Sequence, residues 1–404
     1  MFILYDCVFL LYALVYLPYL LLTKRGYSGF GMRFGFFSPQ VKEQFKAKAN
    51  IWVHAVSVGE VMVIDGFIDQ LRKRYPTYQL IVTVTTKTGY ILACERLKGK
   101  ALVIPSPIDF SFVAGIFVSL INPKIYIAVE TEIWPNLYRK LFLKKIPLMV
   151  INGRISDGSF GRYKAIRFLL KGVLNQVNIW CMQSLMDAKR IMELGAESSR
   201  VLVTGNVKFD YASESSDSSV SDLFKSEDEL WWVAGSTHPG EEEIVLEVYS
   251  KIIKDDPRWR LVIAPRHVER ALQIRELITH RGLKDVTVID TIGHLHLLYS
   301  RASLVFVGKS LCVGGGHNII EPAFYGKAIV IGPKVQNFRD IVACFKQENA
   351  IVQVEDAHAF ETAVRELCAD APKREALGAA AKRVIAVNQG ATQRSLECVA
   401  GLLK

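Results

Sequence analysis

Short apolar runs, almost unbroken by polar residues, recur along the first half of the chain: IWVHAV (51–56), LIVTVTT (80–86), ALVIP (101–105), IYIAVE (125–130), PLMVIN (147–152), IWCMQ (179–183) and VLVTGN (201–206). Stretches of helical spacing separate them, among them VMVIDGFIDQLRKRY (61–75). Strands with one wet face alternate apolar and polar residues; these do not, so both faces are covered, as in a parallel sheet with helices packed on each side. After a polar, serine-rich stretch, YASESSDSSVSD (211–222), the pattern restarts with WWVAGS (231–236), LVIAP (261–265), VTVID (286–290), LVFVG (304–308) and AIVIG (328–332). The pattern predicts an α/β chain of two doubly wound, Rossmann-like domains, residues 23–210 and 223–404, joined by a linker at 211–222. Whether the C-terminal helix returns to the first domain is left open. Ligands of such folds sit beyond the carboxyl ends of the strands, so the turns there are where chemistry is expected.

The chain begins with an apolar run, residues 2–22, about as long as a bilayer-spanning helix and interrupted by Asp6 and Pro18. Positive charges (Lys24, Arg25, Arg33) follow the run rather than precede it, which argues for an uncleaved N-terminal membrane anchor (1–22) with the remaining chain on the cytoplasmic side. Charge supports a membrane setting. Residues 1–210 carry 27 Lys and Arg against 14 Asp and Glu, whereas residues 211–404 carry 23 against 26. A basic half beside an apolar anchor suits an anionic membrane surface or a membrane-bound anionic substrate; no nucleic-acid motif accompanies it. The seven cysteines are scattered and form no CxxC pair, which argues against a disulfide framework and a structural zinc site.

Several strand ends carry candidate chemistry. Glu60 follows Gly59 where a strand gives way to a helix, and the helix N-terminus is expected to favour its ionised form. In VGKSLCVGGGHNIIEPAFYGKAIVIGP (307–333), Gly314, Gly315 and Gly316 precede an expected helix start, an arrangement that offers free backbone N–H groups to phosphate. Glu321, one turn in, suits the hydroxyls of a ribose. Arg266 and His267 end another strand, and Ser236, Thr237 and His238 a third; an arginine there suits a phosphate or carboxylate.

Taken together, HAVSVGEV, TVTTKTGY, VETEIWPN, NGRISDGSFGRY, GNVKFD, GSTHPGEEE, APRHVER and GGGHNIIEPAFYGKAIVIGPKVQNF resemble the 3-deoxy-D-manno-octulosonic acid (Kdo) transferases of lipopolysaccharide synthesis, over nearly the whole chain. The resemblance implies a GT-B glycosyltransferase with an acceptor-binding first domain and a nucleotide-sugar-binding second. It implies transfer of Kdo from CMP-Kdo to a lipid A precursor with inversion, at the inner membrane. It also implies roles: Glu60 as general base, Glu130 and Lys208 in the transition state, Pro265, Arg266, Gly308, Lys309 and Ser310 at CMP, and Asn318, Ile319, Ile320 and Glu321 in further donor contacts. Lys309 departs from the family pattern, where an acidic or small residue is expected. No metal or other cofactor is expected, since a DxD motif is absent and Glu130-x-Glu132 offers only two acids. Competing readings are another GT-B sugar transferase acting on a membrane lipid and a catalytically silent, membrane-anchored nucleotide-binding regulator.

The segment TKRGYSGFGMRFGFF (23–37) interleaves basic and aromatic residues. Arg25, Arg33 and Phe34 are expected in a membrane-facing rim near the acceptor, with YRKLFLKK (138–145) and GRYKAIRFLLKG (161–172) as partners.

Overall fold

The computed structural model describes residues 5–7, 9–11, 30–210, 228–291 and 293–403. The chain forms two compact units: one from residues 1–210 together with 389–404, the other from 211–388.

The first unit is built on seven strands, β1 Asn50–Ala55, β2 Gln79–Val84, β3 Leu102–Pro105, β4 Pro123–Val129, β5 Leu148–Gly153, β6 Ile179–Met182 and β7 Val201–Val203. All pair in parallel, in the order β3-β2-β1-β4-β5-β6-β7. Every residue of β1 is buried, as its continuous apolar sequence requires. Trp52, Phe117, Tyr126 and Trp180 fill the core on one face; Val53, Ile64, Phe67 and Ile127 fill it on the other. The helix Ala391–Leu402 completes that second layer through Leu396 and Val399. Where the chain leaves and re-enters this unit, Asp210 accepts from the backbone N–H of Gly390 (2.6 Å) and Thr392 (2.5 Å).

The second unit has six parallel strands, β8 Leu230–Thr237, β9 Trp259–Pro265, β10 Val286–Val288, β11 Leu304–Val307, β12 Ala328–Ile331 and β13 Val352–Gln353, ordered β10-β9-β8-β11-β12-β13. In both sheets the order reverses once, between β1 and β4 and between β8 and β11. Consecutive crossovers diverge to opposite faces at such a point and open a crevice at the carboxyl ends of the two strands.

Most of the expected anchor lies outside the described residues. Among the described residues no helix is long and apolar enough to cross a membrane. Asp6, which interrupts the apolar run, has a protein role instead: one oxygen accepts from Ser111 N (3.2 Å) and Asn136 Nδ2 (2.7 Å). Beside it, the Phe9 ring stacks on Phe110 with centroids 6.5 Å apart.

Candidate functional site

In the first unit the reversal point is lined with carboxylates. Glu60 follows β1 and sits in the first turn of the helix Val58–Arg74, which starts earlier than its apolar spacing alone suggests. It is only 5% exposed. Its Oε2 accepts from Val56 N (2.7 Å), and the Ser57 hydroxyl donates to Oε1 (3.0 Å). Those two bonds and the helix N-terminus favour the anion, yet burial outweighs them and pushes its pKa up to about 8, with the charges of Glu130 and Glu132 adding to the rise. The expectation of an ionised Glu60 is thereby corrected: the carboxyl holds its proton at neutral pH because almost no water reaches it.

Glu130 directly follows β4 with φ of 56°, a left-handed conformation that costs a side-chain-bearing residue energy, and its N–H donates to Ile151 O (2.9 Å). Two residues on, Glu132 is raised to about 7, by burial first and by Glu130 second. Lys208 sits in the 3-10 turn Val207–Asp210. That turn is tied to the end of β5, because Val207 N donates to Asn152 Oδ1 (3.0 Å), and Lys208 N donates to Asn206 Oδ1 (3.0 Å). The structure thus couples Glu60, Glu130 and Glu132 electrostatically and fixes the backbone of Lys208 at a neighbouring strand end.

Three further residues of this unit stand out. Arg33 donates from Nε to Ser106 O (3.1 Å) and from Nη2 to Ser106 Oγ (3.4 Å), just beyond β3. Phe34 packs against the core. Both therefore contact the body of the unit while staying partly exposed; Arg25 lies outside the described residues. His54, near the end of β1, is 1% exposed. Its Nδ1 lies 2.8 Å from Thr83 Oγ1, and burial, aided by Arg33, holds its pKa down at about 3.

In the second unit the reversal point is organised by Glu241, fully buried at the start of the helix Glu241–Asp255. Its Oε2 accepts from the backbone N–H of His238 (2.9 Å) and Lys309 (2.8 Å). Its Oε1 accepts from Ser310 N (3.0 Å) and Leu311 N (2.9 Å). One carboxylate thus fixes the turns after β8 and β11 together. The fit is tight: a Cβ on Gly308 would stand 2.5 Å from Ser236 O and 2.8 Å from Glu241 Oε2. Lys309 adopts φ of 58° and Ser236 φ of 56°. Pro265 ends β9, and the N–H of the exposed Arg266 donates to Thr237 O (3.1 Å).

The expected glycine cradle is built differently. The N–H of Gly315 donates to Lys334 O (3.1 Å) and Gln336 Oε1 (2.9 Å), and that of Gly316 to Lys309 O (2.8 Å). These two groups are therefore spent inside the protein rather than free for phosphate. The helix that follows, Ile320–Phe324, is only five residues long. Asn318 Oδ1 accepts from Ile320 N (3.1 Å), the side chains of Ile319 and Ile320 are buried, and Glu321 is half-buried in that short helix. His317, in the same segment, reaches back to His238, with Nε2 atoms 3.1 Å apart. Among the described residues no three His, Cys, Asp or Glu side chains group as a metal site would require.

Comparison with known proteins follows this division of the chain. The family model for 3-deoxy-D-manno-octulosonic-acid transferases matches residues 28–211, and that for group 1 glycosyl transferases matches residues 242–384. A 3-deoxy-D-manno-octulosonic acid transferase of Haemophilus influenzae is 32% identical over 370 residues, covering 86% of this chain and 86% of that one. The chain belongs to the Kdo transferase family. A Chlamydophila psittaci Kdo transferase is 28% identical over 363 residues, 84% of this chain and 82% of its own. A bifunctional glycosyltransferase/methyltransferase of Fusobacterium nucleatum is 34% identical over 360 residues; this chain spans 54% of its length. In fold the protein is similar to the UDP-GlcNAc 2-epimerase of Neisseria meningitidis (TM-score 0.60, 13% identity, 87% of this chain and 100% of that one). It is likewise similar to a glycosyltransferase of Rickettsia africae (TM-score 0.57, 14% identity, 89% and 99%). Both carry the two-unit, parallel-sheet architecture of the GT-B proteins. Among this Kdo transferase's own residues, sequence reasoning missed Glu241, His317, His54 and the contact of Arg33 with Ser106. The run Glu241–Glu242–Glu243 was visible as an acidic first turn, but nothing in it marked the first acid as the anchor of another loop.

Proposed function

We propose that the protein transfers Kdo from CMP-Kdo to a lipid A precursor with inversion, Glu60 acting as general base. The observation that carries this reading is Glu60 itself: a buried carboxyl, raised to about 8, at the strand-order reversal and coupled to Glu130 and Glu132. A base poised near the working pH accepts a proton and releases it again most readily. In the step proposed, a sugar hydroxyl of the lipid gives its proton to Glu60 while its oxygen forms the bond to the anomeric carbon of Kdo. The bond from that carbon to the phosphate oxygen breaks, its electron pair leaving with CMP. Glu130 and Lys208 contribute at the transition state, and Arg266 and Lys309 meet the leaving phosphate's charge without a metal. Pro265, Gly308, Ser310 and the Asn318–Glu321 segment complete the donor contacts.

The acceptor is proposed to arrive from the inner membrane surface. What supports this is an exposed apolar set on the first unit, Phe142 (56%), Leu143 (62%) and Phe168 (75%), interleaved with exposed Lys144, Lys145 and Arg167. Rings and basic heads in that mixture suit a headgroup boundary. Incubation with CMP-Kdo and lipid A precursor, followed by mass spectrometry of the lipid, tests the reading; unaltered lipid refutes it. Thermal protection by UDP or GDP in place of CMP would point to another GT-B sugar transferase.

A further inference from the structure

Three imidazoles meet beside the loop that Glu241 fixes. His238 follows β8 and is 9% exposed; its ring stacks on His317, with centroids 5.4 Å apart and planes inclined by 24°. The two Nε2 atoms stand 3.1 Å apart. His267, after β9, meets His238 edge-on at 5.6 Å. Two nitrogens at hydrogen-bond distance must share one proton, because two N–H groups cannot donate to each other. In the neutral pair one ring therefore donates and the other accepts, and a further proton on the accepting Nε2 breaks the bond between them.

The groups facing the pair are Lys309 from the turn after β11, Arg266 and His267 after β9, and Glu241 from the helix Glu241–Asp255. Glu241 is engaged by four backbone N–H groups. The surroundings are thus net positive. Burial first, and these neighbouring cations next, hold His317 down at about 4, and burial likewise lowers His238. Such a cluster gains from an anion in two ways: the anion neutralises Lys309 and Arg266, and it offers an acceptor for the N–H that the pair cannot otherwise accommodate once a further proton arrives.

We propose that His238 and His317 form a two-imidazole receptor for the phosphate of a nucleotide-linked substrate, and that the pair takes up one proton from solvent as that anion binds. This rests on the donor-binding reading given above. The balance is simple: one solvent proton adds to the accepting Nε2, the interimidazole hydrogen bond is released, and the freed N–H donates to a phosphate oxygen.

Isothermal titration of the full chain with cytidine 5′-(methyl phosphate) tests the proposal. That diester has no proton to lose or gain near neutrality, so any exchanged proton belongs to the protein. Heats in buffers of different ionisation enthalpy at pH 7 should show uptake on the order of half a proton per ligand, growing as the pH falls toward 6. His317→Asn and His238→Asn should each abolish that uptake and weaken binding about 10-fold or more, the loss of a charge-assisted hydrogen bond. Binding without proton uptake, or uptake that survives in both variants, overturns the receptor while leaving the donor reading intact. Failure of the ester to bind the parent protein overturns both.

Discussion

Replacing Glu60 by Gln should abolish most turnover and make the fold more tolerant of alkaline pH, since the same proton governs both. Glu60 keeps its proton up to about pH 8 in the folded chain, against an ordinary value of 4.5. Between those limits the folded state binds a proton that the unfolded state has lost. The residue's contribution to stability is therefore fully present below pH 4.5 and is lost as the pH rises through 8, at about 1.4 kcal/mol per pH unit. Gln has no such slope. The melting temperature of Glu60→Gln relative to the parent should accordingly climb between pH 5 and pH 8, by ~2–4 °C for each kcal/mol. In catalysis the direction is opposite. With a pKa near 8, only about one-tenth of the parent is in the basic form at pH 7. Its kcat/KM for Kdo transfer should thus rise roughly tenfold per pH unit below that midpoint and level off above it, while the variant, lacking this slope, should lie about 10²- to 10⁴-fold below the parent's alkaline plateau. The assays are transfer to lipid A precursor read by mass spectrometry, and thermal melts across pH 5–9. A parent profile flat from pH 6 to 9, or a variant with near-parent turnover, would refute the role; a melting difference independent of pH would refute the raised pKa.

Arg266→Ala should weaken CMP binding by about 1.5–3 kcal/mol, measured by titration calorimetry, and an unchanged dissociation constant removes this side chain from the donor contacts. Glu241→Gln places an NH₂ group against backbone donors and orphans about two of them, at ~1–3 kcal/mol each; hydrogen exchange at residues 309–311 should accelerate sharply, and parent-like protection there would mean the loop is held otherwise. Changing Phe142, Leu143 and Phe168 together to Ser should leave melting nearly unaltered, because all three are exposed, yet reduce binding to anionic liposomes at least about tenfold; undiminished binding would place the membrane face elsewhere.

What the sequence disclosed depended on whether the deciding partner lay nearby in the chain. The strands were visible because a parallel sheet covered on both faces leaves long apolar runs, whereas β13, at two residues, is too short to carry a pattern. Glu60 drew attention because a carboxylate in apolar surroundings has little use as packing. Its protonation state was not visible, since that follows from how completely neighbouring elements bury it and from Glu130 and Glu132, which stand in the turn after β4. Arg33 read as a membrane charge because its partner, Ser106, lies 73 residues further on. The glycines after β11 suggested free N–H groups for a similar reason. The acceptors of Gly315, Lys334 and Gln336, belong to the turn beyond the next strand.

The clamp of Asp210 on Gly390 and Thr392 sets an order of events during synthesis. Residues 211–388 constitute the second unit entirely, so this part can fold as soon as it leaves the ribosome. The first unit, although its strands are made earlier, cannot close the layer containing Leu396 and Val399 until the helix Ala391–Leu402 has also emerged. An early-made sheet with one uncovered flank is a natural client for a chaperone. By the same logic, a frameshift or nick near residue 389 would damage the first unit, which bears Glu60, while sparing the one beside which the break falls.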